Sequence, residues 1–175
     1  MRTRFYKNFL FILPAFIYAS CAKEHPNYSS GKATAEKNGR QWTGEARLID
    51  KFEDGKTIFI EFNVYNKNDE LRETLYFTYV PRKIGEHPLQ NCGFNDCDSL
   101  TARYYILAAD GDVLDDAYRK TDPSSKFVIT HSSTNVISGN FDLIMTMDDP
   151  SKKFNPNNPD TIRFKNGSFK VKLDR

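Results

Sequence analysis

Apolar and polar residues alternate one by one along several stretches of this chain, and a period of two indicates β-strands with one buried face. The stretches that alternate are 40–49, 57–65, 71–80 and 137–147. We also expect short strands at 84–89 and 127–131, and a strand at 101–109 with Tyr104 and Tyr105 on opposite faces. Residues 113–120 fit one face of a helix as well as a strand, so the pattern leaves that segment open.

The last strand-like stretch is predicted to form a hairpin. Asn166-Gly167 suits a two-residue turn of type I′. Such a turn pairs Phe164 with Phe169 and puts the neighbouring apolar residues on the same buried face, with the lysines in solvent. A slip of one residue would bury the lysines. The turn residues and the alternation therefore favour the same register.

Eight to ten such strands with frequent turns predict an all-β protein. We expect an antiparallel β-sandwich, with a closed, lipocalin-like β-barrel as the alternative, because both folds bury one face of each strand. We place this single domain at residues 39–175. Residues 21–38 are polar, contain Pro, Ser and Gly, and show no periodicity. We predict that they form a flexible tether.

Residues 1–20 have the features of a secretory signal. A basic start is followed by an apolar core, residues 9–19, of about half the ~20 residues that a spanning helix needs. Small residues then precede Cys21. This ending resembles the lipobox of bacterial lipoproteins, in which the thiol receives a diacylglyceryl group. Two or three acyl chains hold a protein stably on a membrane. An ordinary signal peptide cut near Ala22 is the alternative.

Charge and cysteine content narrow the class of protein. The chain has 25 basic and 23 acidic residues, and three of the basic ones lie in the leader. The mature part is thus close to neutral, which argues against nucleic-acid binding. Cys92 and Cys97 form an even pair in a chain predicted to be exported, so we expect a disulfide. A metal site would need a second ligand pair that the sequence lacks.

No residue set predicts catalysis. The three histidines, His25, His87 and His131, have no partners at the spacing of metal ligands or of a catalytic triad. We therefore expect a non-enzymatic protein without cofactor or metal, with a hydrolase of non-standard site as a remote alternative. Two acidic patches contain oxygen ligands of the kind that calcium prefers. We favour ordinary turn chemistry for them and leave calcium open. They are Asp110, Asp112, Asp115 and Asp116, and Asp148, Asp149, Asn155, Asn157 and Asp160.

Two binding hypotheses follow from the strand faces. Phe59, Tyr65 and Tyr76 fall opposite the aliphatic stripe, where exposed rings would bind a protein partner or a glycan. Burial of this face under other strands is the simpler alternative. In a barrel, the interior would instead carry a small apolar ligand. Its lining would be Phe62, Phe77, Phe141, Met145 and Phe164.

Three motifs carry a resemblance to a known family. They are Asn38-Gly-Arg-Gln-Trp42, Ile137-Ser-Gly-Asn-Phe141 and Ile162-Arg-Phe-Lys-Asn-Gly-Ser-Phe169. The chain resembles a family of uncharacterised Bacteroidota lipoproteins with an early tryptophan, an "isGxF" strand and a final "NGxF" hairpin. The resemblance implies an all-β lipoprotein. It implies no activity and no site residues. We expect a monomer at the outer membrane, on its periplasmic face or at the cell surface.

Cys21→Ser is expected to abolish membrane attachment and to leave the fold intact. The cysteine precedes a polar segment, so no core contact depends on it, and the lipid is the only strong anchor predicted. Detergent partitioning and membrane fractionation measure attachment, and circular dichroism measures folding. A variant that still sediments with membranes would contradict the lipid anchor.

Overall fold

A computed structural model of the chain describes residues 31–51, 56–92, 98–108 and 114–172. Within these ranges the chain forms ten antiparallel strands and one 3₁₀ turn at Pro150–Lys152. The strands are β1 (Gly31–Lys37), β2 (Arg40–Lys51), β3 (Thr57–Tyr65), β4 (Leu71–Pro81), β5 (Gly85–His87), β6 (Thr101–Leu107), β7 (Leu114–Thr121), β8 (Lys126–Ser132), β9 (Val136–Met147) and β10 (Thr161–Lys172).

Eight of these strands close into a barrel. The order around the ring is β1, β2, β3, β4, β6, β7, β9 and β10, and β10 pairs with β1 as well as with β9. β8 pairs with the first half of β9 while β7 pairs with its last residues. The short β5 adds only to β8. β8 and β5 therefore extend the sheet from β9, outside the order of the eight ring strands.

The all-β prediction is confirmed, and the closed barrel given as the alternative is the fold. The β-sandwich was wrong, because a sandwich has two separate sheets whereas here the last strand pairs with the first. The segment 113–120 was left open between helix and strand, and its described residues belong to β7 (Leu114–Thr121). The alternation along β9 is confirmed, since Ile137, Phe141 and Leu143 are almost completely buried.

Aromatic rings fill the barrel interior. Phe62 contacts Phe77, Phe141 and Phe169 at ring-centroid distances of 5.4 to 5.6 Å. Trp42 and Tyr104 both meet Phe164 edge to face, at 5.3 and 5.2 Å. Burying each ring contributes roughly 1.5–3 kcal/mol. The closed sheet is therefore held from inside by a continuous packed core.

The predicted tether is too long at its C-terminal end. Residues 31–37 form β1, which lies between β10 and β2, so the domain begins before residue 39. Periodicity was missed here because the inward residues are only Ala33 and Ala35. Residues 21–30, and the whole of the leader, lie outside the described residues.

The chain's two Asn-Gly dipeptides adopt different backbone structures. Asn38 and Gly39 have φ of 49° and 81° and form the tight turn between β1 and β2, as type I′ geometry requires. Asn166-Gly167 does not form the predicted hairpin, because β10 runs straight through it. The strand is bulged there: Phe164 lies opposite Leu143, and Gly167 lies opposite Phe141.

A β-bulge inserts one extra residue into a strand, so the inward-facing positions move by one residue beyond it. A two-residue hairpin turn would change the order of apolar and polar residues in the same way, which is why the sequence pattern resembled a turn. Asn166 takes φ of 52° and its N–H donates to Asp142 Oδ1 at 2.7 Å. A Cβ at Gly167 would lie 2.5 Å from Phe141. The alternation along β4 also shifts by one residue. Tyr79 has φ of 52°, and Val80 is the buried residue instead of Tyr79.

One charged group is placed inside the barrel at the end that holds the β1–β2 turn. Glu73 accepts from Trp42 Nε1 at 2.8 Å and from Lys37 Nζ at 2.5 Å. Lys37 also donates to the Tyr104 hydroxyl at 3.0 Å. These bonds satisfy the polar groups of β1, β2, β4 and β6 where the apolar core ends, and they fix the four strands relative to one another.

Glu73→Ala is expected to lower the free energy of unfolding by about 2–4 kcal/mol, because it leaves a buried indole N–H and a half-buried ammonium without their acceptor. Urea unfolding measures the loss. Fluorescence of Trp42, the chain's single tryptophan, reports the local change. Glu45→Ala is the control, since the ion pair of Glu45 with Arg47 is exposed and should contribute less than about 1 kcal/mol. Equal losses would contradict the role of Glu73.

Candidate binding face on the outside of the barrel

The three predicted platform residues all lie on the outside of the barrel. Phe59 and Tyr65 are on β3 and Tyr76 is on β4, and each alternates with residues that enter the core. Each side chain is half-buried. Other strands do not cover them completely, so this part of the wall presents aromatic surface to solvent.

The strand register joins these residues to others that sequence reasoning did not place there. Glu61 on β3 lies opposite Tyr76 on β4, and Tyr76 lies opposite Arg103 on β6. One row further along, Asn63, Thr74 and Tyr105 are cross-strand neighbours in the same way. Residues directly opposite each other on one face of a sheet have Cβ atoms about 4.5–5.5 Å apart.

A depression of about 490 Å³ lies on this wall. Most of its surface is apolar, and it falls within the size range of ligand sites in proteins. We call the wall around it the outer aromatic face and define it by its lining residues, Phe59, Glu61, Leu71, Thr74, Tyr76, Arg103, Tyr105, Leu107 and Leu114. Thr74 and Arg103 are buried whereas the rings beside them are half-buried, so these two side chains lie at the bottom.

Tyr76 and Tyr105 form the aromatic corner of the depression. Their ring centroids are 5.7 Å apart and their planes are 77° apart. The Tyr76 hydroxyl lies close to both the Glu61 carboxylate and the Thr74 side chain, which act on its pKa in opposite directions. Burial raises the pKa of Tyr76, and the Glu61 carboxylate raises it further. The corner is therefore built from one ring beside a carboxylate and a second ring close to perpendicular to it.

Glu61 is a second group on this face whose pKa is shifted. Burial raises the pKa of its carboxyl above the ordinary 4.5, while bonds from Asn63 and Tyr76 and the charge of Arg47 oppose that rise. Asn63 Nδ2 donates to Glu61 Oε1 at 2.7 Å. Arg103 lies on the other side of Tyr76 and donates to the Cys92 carbonyl at 3.3 Å. An acidic and a basic group thus flank the ring.

Two buried oxygen atoms of this face have no hydrogen bond among the described residues. They are Asn63 Oδ1 and Thr74 Oγ1, on side chains that are each 4% exposed. An unsatisfied buried polar group costs roughly 1–3 kcal/mol and calls for a specific explanation. Both lie in the same cross-strand row, one row from Tyr76; Thr74 lies directly beside Tyr105, and Asn63 lies on the far side of Thr74.

Tyr65 occupies a separate, shallower depression of about 200 Å³ with Glu45, Arg47 and Asp69. The Arg47 guanidinium lies 5.3 Å from the centre of the Tyr65 ring and donates to Glu45 Oε2 at 2.7 Å. The structure therefore brings two of the three predicted platform residues into one depression and places the third in a neighbouring one.

The residues predicted to line a carrier cavity all point into the barrel. They are Phe62, Phe77, Phe141, Met145 and Phe164, and each is at most 1% exposed. The closed barrel that a carrier requires is present, but these rings pack against one another. A ligand could enter only if several of them moved apart.

The two acidic patches meet, but through amides rather than through a ring of carboxylates. Asp115 Oδ2 accepts from Asn155 and Asn158, at 3.2 and 3.1 Å, and Asp116 Oδ2 accepts from Asn158 at 2.6 Å. The described residues contain no group of three or more His, Cys, Asp or Glu suited to a metal ion. Asp110 and Asp112 lie outside them.

Cys92 is in a disulfide. Its predicted partner Cys97 lies outside the described residues, as does Cys21. Within the ranges that the structure describes, no helix has the length and apolarity needed to cross a membrane.

Sequence reasoning missed Arg103, Thr74 and Tyr105 as members of the face. Alternation placed Tyr104 and Tyr105 on opposite faces of a strand, and Tyr104 is indeed buried in the core. The missing information was that β6 neighbours β4, because β5 lies between them in sequence and pairs elsewhere. Nothing in the spacing of the residues shows that β5 pairs outside the ring.

Comparison of the chain with protein-family models, with curated proteins and with solved structures found no match.

Wild-type protein is expected to gain stability relative to Glu61→Gln as the pH falls from neutral towards 4.5. A carboxyl whose pKa is raised by folding binds its proton more tightly in the folded state, so its contribution to stability decreases as pH rises through the folded pKa. Urea unfolding of both proteins at several pH values measures the difference. A difference that is constant with pH, or that grows towards neutral, would contradict the raised pKa.

Proposed function

We propose that this protein is a lipid-anchored, non-catalytic binding module of the bacterial cell envelope, and that it binds its partner through the outer aromatic face. The observation that carries the proposal is the depression around Phe59, Tyr76 and Tyr105 on the wall of a barrel whose interior is packed. Exposed apolar clusters with a polar rim are typical of interaction sites on soluble domains.

The leader supports the anchored location. A basic start, a short apolar core and a small-residue site before Cys21 are the features of an exported lipoprotein. The disulfide at Cys92 fits an oxidising compartment. We place the protein at the outer membrane, on its periplasmic face or at the cell surface, as a monomer whose mature chain begins at Cys21.

The chemistry of the outer aromatic face supports binding rather than catalysis. Glu61 and Arg103 are both engaged in hydrogen bonds, and the aromatic ring of Tyr76 lies between them. The hydrogen bonds described for Glu61 and Arg103 join them to an amide and to a backbone carbonyl, and not to the nucleophile–base set that acyl transfer needs. Rings, one acid and one base around a concave surface are suited to holding a ligand in one orientation.

Removal of the two central rings is expected to abolish envelope binding. The mature chain carrying Cys21→Ser is incubated with envelope fragments from the producing bacterium, and the sedimented fraction is measured against protein concentration. The Cys21→Ser protein with an unchanged outer aromatic face should show saturable binding. Phe59→Ala combined with Tyr76→Ala should weaken it at least about tenfold, because truncating central anchors typically costs 2 kcal/mol or more.

Phe154→Ala is the matched control. Phe154 is 75% exposed, lies in the β9–β10 loop and does not line the depression of the outer aromatic face; the hollow that it lines adjoins that face at Leu114. Near-ultraviolet circular dichroism shows whether each variant is folded. Equal binding by the control and the double variant, or no saturable binding by any of the proteins, would overturn the proposed function.

A further inference from the structure

We propose that the ligand of the outer aromatic face is a neutral saccharide, which stacks on the Tyr76–Tyr105 corner and hydrogen bonds to Glu61, Arg103 and Thr74. This inference depends on the proposed function, since it names the ligand class of the same site. It explains three features of the face together: the perpendicular rings, the balanced charges and the unsatisfied oxygens.

The aromatic corner fits the apolar side of a sugar ring. A pyranose has faces made of C–H groups and an edge made of hydroxyls. Tyr76 and Tyr105 are 5.7 Å apart and close to perpendicular, so a flat ligand that stacks on one ring meets the edge or face of the other. Tyrosine combines a flat apolar body with a polar end, which suits a ligand of the same mixed character.

The polar groups are arranged to bind hydroxyls. Each hydroxyl both donates and accepts. The Glu61 carboxylate is an acceptor and the Arg103 guanidinium is a donor, and they flank Tyr76 in a single cross-strand row. A ligand lying across Tyr76 would therefore have an acceptor at one side and a donor at the other.

The unsatisfied oxygens indicate acceptors that the protein itself does not use. Asn63 Oδ1 and Thr74 Oγ1 have no partner among the described residues, and Thr74 lines the depression. The Thr74 oxygen is buried, so a ligand hydroxyl reaches it only when neighbouring side chains shift. The unfavourable free energy of a buried orphan oxygen is then relieved on binding.

The charges of the face select a neutral ligand. Glu61 and Arg103 cancel each other in net charge, and Arg47 approaches Glu61 from the β2 side. A ligand of either charge would be attracted by one of these groups and repelled by the other, so a net charge brings no advantage in binding. A protein partner would be expected to need a flatter, larger surface, since stable interfaces bury about 800 Å² on each side.

Affinity electrophoresis through gels containing one polysaccharide each tests the proposal. The probes are soluble starch, mixed-linkage β-glucan, xyloglucan, galactomannan and arabinoxylan, with polygalacturonate as the acidic comparison. The mature Cys21→Ser chain should be retarded by at least one neutral polysaccharide and not by polygalacturonate. Tyr76→Ala should abolish the retardation, and Phe154→Ala should leave it unchanged.

Thr74→Val separates a ligand contact from a structural role. Valine keeps the shape and removes an oxygen that has no protein partner among the described residues, so the folded state should be as stable as wild type or more so. Saccharide binding should weaken about fivefold or more, since one hydrogen bond is lost. Unchanged binding by a folded Thr74→Val protein would overturn the role given to Thr74.

The envelope-binding assay distinguishes failure of the saccharide proposal from failure of the proposed binding function. Envelopes treated with periodate, which cleaves vicinal diols, should lose binding, whereas protease-treated envelopes should keep it. Binding that survives periodate, is lost with protease and has no counterpart in any polysaccharide gel would overturn the saccharide and keep the proposed function. Absence of all envelope binding would overturn both. Sedimentation that shows a dimer dispersed by Tyr76→Ala would assign the face to a second copy and also overturn the saccharide.

Discussion

Closure of the sheet is the constraint on which the rest of the structure depends. β10 pairs with β9 on one side and with β1 on the other. Wherever neighbouring ring strands are hydrogen bonded along both sides, the ring therefore has no free edge. Every ring strand must then send one face inward. The interior has to be filled by those residues, and the aromatic core around Phe62 does so. Any binding surface made by the ring strands is consequently on the outer wall or at an end.

The inward faces were predictable because alternation is a local signal. It identified β3 and β9 and the buried residues of each. Closure was not predictable, because sandwiches and barrels use the same alternation. β1 was missed for a different reason: Ala33 and Ala35 bury little area, so a strand between two large neighbours has only a weak hydrophobic pattern of its own.

The two Asn-Gly dipeptides show where local chemistry stops being decisive. At residues 38–39 both residues have positive φ and the chain reverses. At 166–167 only the asparagine does, and the strand continues with one extra residue. The difference comes from the surroundings, since Asp142 accepts the Asn166 N–H and Phe141 leaves no room for a side chain at 167. The candidate site follows the same rule: Phe59 and Tyr76 were identifiable from their own strands, whereas Tyr105 and Arg103 depended on which strands are neighbours.

The position of β1 between β10 and β2 has a mechanical consequence. The described chain begins at Gly31, so any force transmitted from the preceding segment along the strand acts on β1. Hydrogen bonds on both sides of β1 are then loaded together in shear, whereas a strand at a free edge would be peeled away one bond at a time. The Lys37–Glu73 ion pair lies at the far end of the same strand and resists its sliding. A domain pulled from this terminus should therefore resist extraction better than the small side chains of β1 would suggest.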